Sequence, residues 1–187
     1  MARDPIPTWF FAAVVVRHGD RFLLVQERKH NNAWYLPAGR VEPGESLAEA
    51  AIRETLEESG VKVRLKGVIR IEHSPQSKGA RLRVVFLAEP RGDTATKKKA
   101  DRESLRAEWV TLNELPKYRL RGPLVEKVIR YVAEGGLCYP MEVLQAEGAP
   151  YRPRTDGRGE AVAEGMGRLG KLRRSLQTVL VGRQPKR

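Results

Sequence analysis

The chain has one cysteine, Cys138, among its 187 residues. A single thiol excludes an internal disulfide framework and fits a reducing compartment. With no positioned base beside it in the sequence, Cys138 reads as an inert small apolar residue. Long apolar runs are missing as well. The stretch from Trp9 to Val16 has eight residues and stops at Arg17, far short of the roughly 20 that a membrane-spanning helix needs. No basic segment or small-residue cleavage site accompanies it, so it reads as a buried strand of a cytoplasmic protein without a transmembrane segment. Internal repeats and low-complexity tracts are absent. Acid is the minority charge, with 23 Asp and Glu against 35 Lys and Arg and a formal net charge of +12. The excess is concentrated in residues 152–187, which hold ten basic and three acidic residues. Such a tail could anchor nucleic acid, steer an anionic nucleotide or serve solubility, and charge alone does not choose among these.

Against that background, the acids between Gly39 and Val61 are concentrated. On a wheel of about 100° per residue, Glu54, Glu57 and Glu58 fall within about 100° of arc, with Ala48, Ile52, Leu56 and Ser59 opposite. Pro43-Gly44 forms a turn, Ser46 and Glu49 fit a capping box, and Gly60 suits a left-handed stop. Like charges at these spacings repel by a few tenths of a kcal/mol per pair. A solvated acidic face usually interleaves Lys or Arg, whereas Arg53 is the one basic residue in this helix. A hard divalent cation with oxygen ligands would relieve the repulsion.

The stretch reads Gly39, five residues, Glu45, seven residues, then Arg53-Glu54-Thr55-Leu56-Glu57-Glu58-Ser59-Gly60-Val61. It resembles the Nudix box at every fixed position, a match expected by chance about once in 10⁸ to 10⁹ start points. Thr55 stands where a bulkier apolar residue is commoner. The resemblance implies a Nudix α/β/α sandwich, with a mixed sheet between helices, and a Mg²⁺-dependent hydrolase for which Mn²⁺ is the alternative cofactor. It implies Glu54, Glu57 and Glu58 as metal ligands beside the Ala38 carbonyl. Arg53 is implied to hold a box carboxylate, and Glu45 to orient the loop against the helix. One further carboxylate is expected from a loop ahead of a late strand, with Glu103 first and Asp101 second. Glu103 thus joins both the ligand set and the catalytic set of Glu45, Arg53, Glu54 and Glu57.

Around the box, His18-Gly19-Asp20 separates Trp9–Val16 from a second strand, Phe22–Arg28, as in a hairpin. Lys29–Asn32 reads as a polar loop, and Trp34–Gly39 as an irregular entry to the box. One or two strands around Gly67 are expected over residues 61–72, a polar loop with Pro75 over 73–79, and a strand at Leu82–Ala88. The charged stretch 91–106 reads as exposed, and a short strand follows at Glu108–Leu112. A helix is expected from about Gly122 to Glu134, opened by Pro123 and carrying the apolar stripe Leu124, Val125, Val128, Ile129 and Val132. The prolines at 140, 150 and 153 suggest a linker over 137–157. A glycine-weakened amphipathic helix is expected from about Glu160 to Val181. The division is a Nudix domain over 1–136 and a linker with basic tail over 137–187.

Trp34–Glu45, Val85–Ala88 and Asp101–Leu105 ahead of Trp109 are similar to the Nudix subgroup that hydrolyses oxidised purine nucleoside diphosphates to monophosphates. Tyr35 and Phe86 are either core aromatics or platforms for a base. The leading expectation is a nucleotide phosphohydrolase acting on such a substrate. Its rivals are a pyrophosphohydrolase of triphosphates, dinucleotides or RNA 5′ ends, which would use the tail on nucleic acid, and a nucleotide sensor without turnover. Nothing in the pattern indicates an oligomeric state.

Overall fold

In the computed structural model, which describes residues 5–151, the first apolar run becomes a strand with five consecutive buried residues, Ala12 to Val16. Burial of successive residues means that both faces of the strand are covered. The chain proceeds through β1 (Thr8–His18), β2 (Arg21–Glu27), β3 (Trp34–Tyr35), β4 (Ala38–Arg40), α1 (Leu47–Ser59), β5 (Val63–Gln76), β6 (Gly79–Pro90), β7 (Ser104–Thr111) and α2 (Pro123–Ala133). The sheet order is β3-β2-β1-β6-β5, with β4 paired to β1 and β7 to β2. β1 and β6 are parallel, with Ala12 opposite Val84 and Val14 opposite Phe86. The other pairings are antiparallel. The sheet is therefore mixed, as expected.

Strand alternation sends successive residues of β1 to opposite layers. Ala12, Val14 and Val16 join Leu23, Phe86 and the α1 residues Ala50 and Ala51 in one core. Ala13 and Val15 join Leu24, Val85 and the α2 residues Val125, Val128, Ile129 and Val132 in the other. The result is an α/β/α sandwich.

Helix α1 buries Ala50, Ala51, Thr55, Glu58 and Ser59, while Ile52 and Leu56, on the side opposite the acids, are 41% and 40% exposed. Small side chains let the helix lie close to the sheet, and the buried Thr55 and Ser59 hydroxyls donate to the Ala51 and Thr55 carbonyls at 2.7 and 2.5 Å. Three readings of the sequence need correction. The polar loop at 73–79 is mostly strand, since β5 runs to Gln76 and Pro75 pairs with Ala80. Pro75 is tolerated because β5 is an edge strand of the sheet path. The late strand begins at Ser104 rather than Glu108, with Ser104 and Ala107 buried against β2.

Lastly, the start of the expected linker docks on β5. Val68 and Tyr139 exchange two backbone hydrogen bonds of 2.7 and 2.8 Å, and Met141 and Leu144 pack on the α1-side core. Gly67 permits this approach, because a Cβ there would lie 2.2 Å from the Tyr139 carbonyl oxygen. Two units divide after Gln145, and the sandwich is the first. In the second, a turn joins the Ala149 N–H to the Ala146 carbonyl at 3.1 Å. The helix expected from Glu160 and the basic tail 152–187 lie outside the described residues. Among the described residues, no helix is long and apolar enough to cross a membrane.

Candidate active site

Helix α1 is set at both ends. The Ser46 hydroxyl accepts from the Glu49 N–H at 3.2 Å, the Glu49 carboxylate accepts from the Ser46 N–H at 2.9 Å, and Gly60 closes the helix at φ 78°. These local bonds satisfy orphan backbone groups and fix where the acidic side chains emerge.

Arg53 ties the acids together. Its Nε and Nη2 donate to the two Glu45 carboxylate oxygens at 2.7 and 2.9 Å. Nη1 donates to Glu54 at 2.8 Å and to Glu57 at 3.1 Å, and Nη2 reaches the Arg40 carbonyl at 3.0 Å. A planar guanidinium suits this many-sided grip better than an ammonium would. Hydrogen bonding to Arg53 holds the Glu45 carboxyl below its usual range, and the other Glu45 oxygen contact comes from the Glu42 N–H at 3.0 Å. Glu45 thus joins the box loop to the helix.

Glu58 is the most enclosed of the acids, 9% exposed, and its Oε2 accepts from the Ala38 N–H at 2.9 Å. Burial pushes its carboxyl up to about 8. The Ala38 hydrogen bond opposes that rise, and the charges of Glu54, Glu27 and Glu103 add to it. Burial also raises Glu54, against the pull of Arg53. Glu54 lies against Gly39 so closely that a Cβ there would stand 1.9 Å from its carboxyl carbon. The glycine that opens the box is required by this contact.

The later loop reaches the same region. The Ser104 hydroxyl donates to the Glu58 carbonyl at 2.6 Å, and the Lys97 ammonium donates to the Glu57 carbonyl at 2.7 Å, both at the C-terminal end of α1. Asp101 accepts from Lys97 with both oxygens at 2.9 Å and from the Glu103 and Ser104 N–H groups, so it shapes the loop. Glu103 pairs with the exposed Arg102 at 2.6 Å, and its charge acts on both Glu54 and Glu58. Of the two candidates, Asp101 is engaged by its own loop, whereas Glu103 is the one whose charge reaches Glu54 and Glu58.

Sequence reasoning missed Glu27, whose charge also acts on Glu58. Its one visible sign was an acid two residues beyond Val25, in step with the inward-facing Leu23 and Val25 of β2. Of the two readings of Tyr35 and Phe86, core aromatics and base platforms, the structure supports the first. Phe86 is fully buried on the α1 side of the sheet, and Tyr35 is 7% exposed, with its hydroxyl accepting from Arg83 at 2.6 Å and Arg121 lying 4.7 Å from its ring centre. Alternation along the strands turned both rings into the cores. A cavity of about 320 Å³ opens instead on the α2 side, lined by Leu36, Ile69, Val85, Leu124, Val128 and Tyr131 among others. It contains no box residue, but Ala13 on its wall pairs directly with Ala38.

The donors available to a cation at the box are hard carboxylate oxygens, which suits Mg²⁺ or Mn²⁺. Among the described residues, no three His, Cys, Asp or Glu side chains form a ready-made cage. Mg²⁺ keeps several waters and takes one or two carboxylates plus substrate phosphates. The part-buried Glu54 and the buried Glu58 offer oxygens of that kind.

Residues 9–131 match the NUDIX domain family. The chain is 43% identical over 107 residues to the 8-oxo-dGDP phosphatase NUDT18 of Homo sapiens, covering 56% of this chain and 32% of that protein. It is 35% identical over 118 residues to the NAD-capped RNA hydrolase NudC of Klebsiella pneumoniae (strain 342), covering 62% and 44%. The chain therefore spans about a third of the length of the first of these relatives and under half of the second. A solved NUDIX hydrolase from Nitrosomonas europaea aligns with a TM-score of 0.64 at 31% identity, over 76% of this chain and 99% of that one.

Proposed function

The chain belongs to the NUDIX family, and on that premise we propose that it is a divalent-cation-dependent hydrolase of nucleoside diphosphate-linked substrates, taking 8-oxo-guanine nucleoside diphosphate to the monophosphate. The observation that carries this reading is the pair of carboxyls, part-buried Glu54 and buried Glu58, held against Gly39 and Ala38, with Arg53 fixing Glu45, Glu54 and Glu57 beside it. Glu54, Glu57 and Glu58, with Glu103 from the later loop, would hold the cation next to the Ala38 carbonyl. When bound, Mg²⁺ or Mn²⁺ supplies charge neutralisation at the phosphoanhydride and activation of the attacking water.

The chain's own residues orient and hold. Arg53 keeps the carboxylates from collapsing apart, and Glu45 keeps the box loop on the helix. Water attacks phosphorus, the bond to the bridging oxygen breaks, and a box carboxylate takes the proton; burial raises both Glu54 and Glu58 toward that task. The cavity beside Ala13 has the size of small-ligand pockets, and its apolar walls suit a purine. The identity to NUDT18 supports the oxidised-guanine choice. The similarity to NudC favours, as a second reading, a pyrophosphohydrolase acting on a dinucleotide or RNA 5′ end, with the tail as a nucleic-acid anchor.

Incubation with Mg²⁺ and a nucleotide panel tests the choice. Orthophosphate and monophosphate from 8-oxo-dGDP are expected. Mononucleotides from a dinucleotide or a capped RNA, with 8-oxo-dGDP untouched, would move the assignment to the second reading, and no product from any of them would leave a sensor.

A further inference from the structure

Glu27 is held by one of its two carboxylate oxygens. Oε1 accepts from Arg121 at 2.7 Å, whereas Oε2 is buried and has no hydrogen-bond partner among the described residues. His30 Nδ1 stands 3.4 Å from Oε2 and is an ion-pair partner only when its half-exposed imidazole is protonated. A buried oxygen without a donor is costly, more so when charged, and calls for an ion, a water or a ligand group to satisfy it.

The surroundings say which. Glu27 ends β2, where its cross-strand partner on β7 is Ser104. The Ser104 hydroxyl is bonded to the Glu58 carbonyl, and paired residues on adjacent strands share a face. Glu27 therefore looks toward α1, the layer of Leu23 and Val25. The cavity suited to a base is walled by Leu36 and Val128, from the other layer, so the free oxygen does not serve that cavity. Its charge acts on Glu58, a group of its own sign. An acceptor with no donor, beside a second carboxyl, is matched by a cation or by cation-bound water.

We propose that Glu27 is a further cation-facing carboxylate of this active site: its free oxygen receives a divalent cation, or a water of that cation's hydration shell, alongside Glu58. The proposal rests on the metal reading of the box. Arg121 occupies Oε1 alone, so Oε2 is the oxygen available to the cation.

The test is direct Mn²⁺ binding to the full chain without substrate, followed by electron paramagnetic resonance of the free ion. All variants are made in a His30→Ala background, so that the imidazole does not compete for the free oxygen. Glu27→Gln, which retains shape and an acceptor for Arg121, is expected to weaken Mn²⁺ by about tenfold. Arg121→Gln is expected to leave the affinity equal or higher. If Glu27→Gln does not fold, Glu27→Asp replaces it and is expected to weaken Mn²⁺ by a smaller factor. Unchanged affinity in the Glu27 variants, with binding lost in Glu58→Gln, overturns the role of Glu27 alone. Equal weakening by Arg121→Gln overturns it too, because Glu27 then acts only through the ion pair. No Mn²⁺ binding by the unaltered chain overturns it together with the metal reading.

Discussion

The two helices cover opposite faces of one sheet, and they do so with different materials. α2 presents Val125, Val128, Ile129 and Val132, all buried, and fills its layer with branched aliphatic volume. α1 buries Ala50, Ala51, Thr55, Ser59 and the carboxyl-bearing Glu58, and leaves Ile52 and Leu56 about two-fifths exposed. By the usual scale of about 25 cal/mol per Å² of apolar area, α2 adds more to stability. α1 gives up apolar burial to bring a row of acids within reach of Ala38 and Gly39. One face of the sheet secures the fold, while the other carries the candidate chemistry.

Substitutions on the two faces should therefore separate stability from turnover. Glu54→Gln and Glu58→Gln should each lower kcat by about 10²–10⁴-fold while the circular dichroism spectrum is unchanged. Near-normal turnover in both would remove the chemical role of α1. Ile129→Ala, at a fully buried site on α2, should cost about 2–5 kcal/mol in urea unfolding with kcat nearly unaltered well below the melting temperature. Ala51→Leu tests the close approach of α1. Overpacking there should cost about 1–3 kcal/mol and, unlike the α2 change, reduce turnover as well; full activity in this variant would mean that the helix need not sit so near the sheet.

The smallest effect is a pH dependence of the cation-free protein. Burial raises Glu58 from the usual 4.5 to about 8, so between those values the folded state holds a proton that the unfolded state has lost. Stability should then fall as pH rises through this window and level off above it. Denaturant melts in chelator from pH 5 to 9 would show the slope, and Glu58→Gln should lack this contribution. An equal slope in that variant would assign the effect to other groups.

The parts of the site that were legible beforehand are those written in local order. The Ser46–Glu49 capping box, the Gly60 stop, and the grouping of Glu54 and Glu57 around Arg53 all follow from helical periodicity over a few residues. The strand limits were less legible where pairing overrode local signals. Pro75 looked like a loop and lies in an edge strand, and residues 138–144 looked like linker and lie against β5 through the gap at Gly67. Phe86 read equally as core or as a platform for a base, and it is core, because one step along a strand exchanges the faces of the sheet.

By itself, the sequence determined the helix that bears the acids, its two ends, the spacing of its carboxylates and the family to which that spacing points. These depend on backbone periodicity and short-range hydrogen bonds, which any reader of the chain can count. Only the tertiary structure decided that Glu58 is enclosed and bound to Ala38, that Asp101 is taken up by Lys97 and its own loop, and that Glu27 enters the same neighbourhood with one oxygen unpaired. Each of these depends on β2 and β7 pairing beside α1, and on which side chains that packing removes from water.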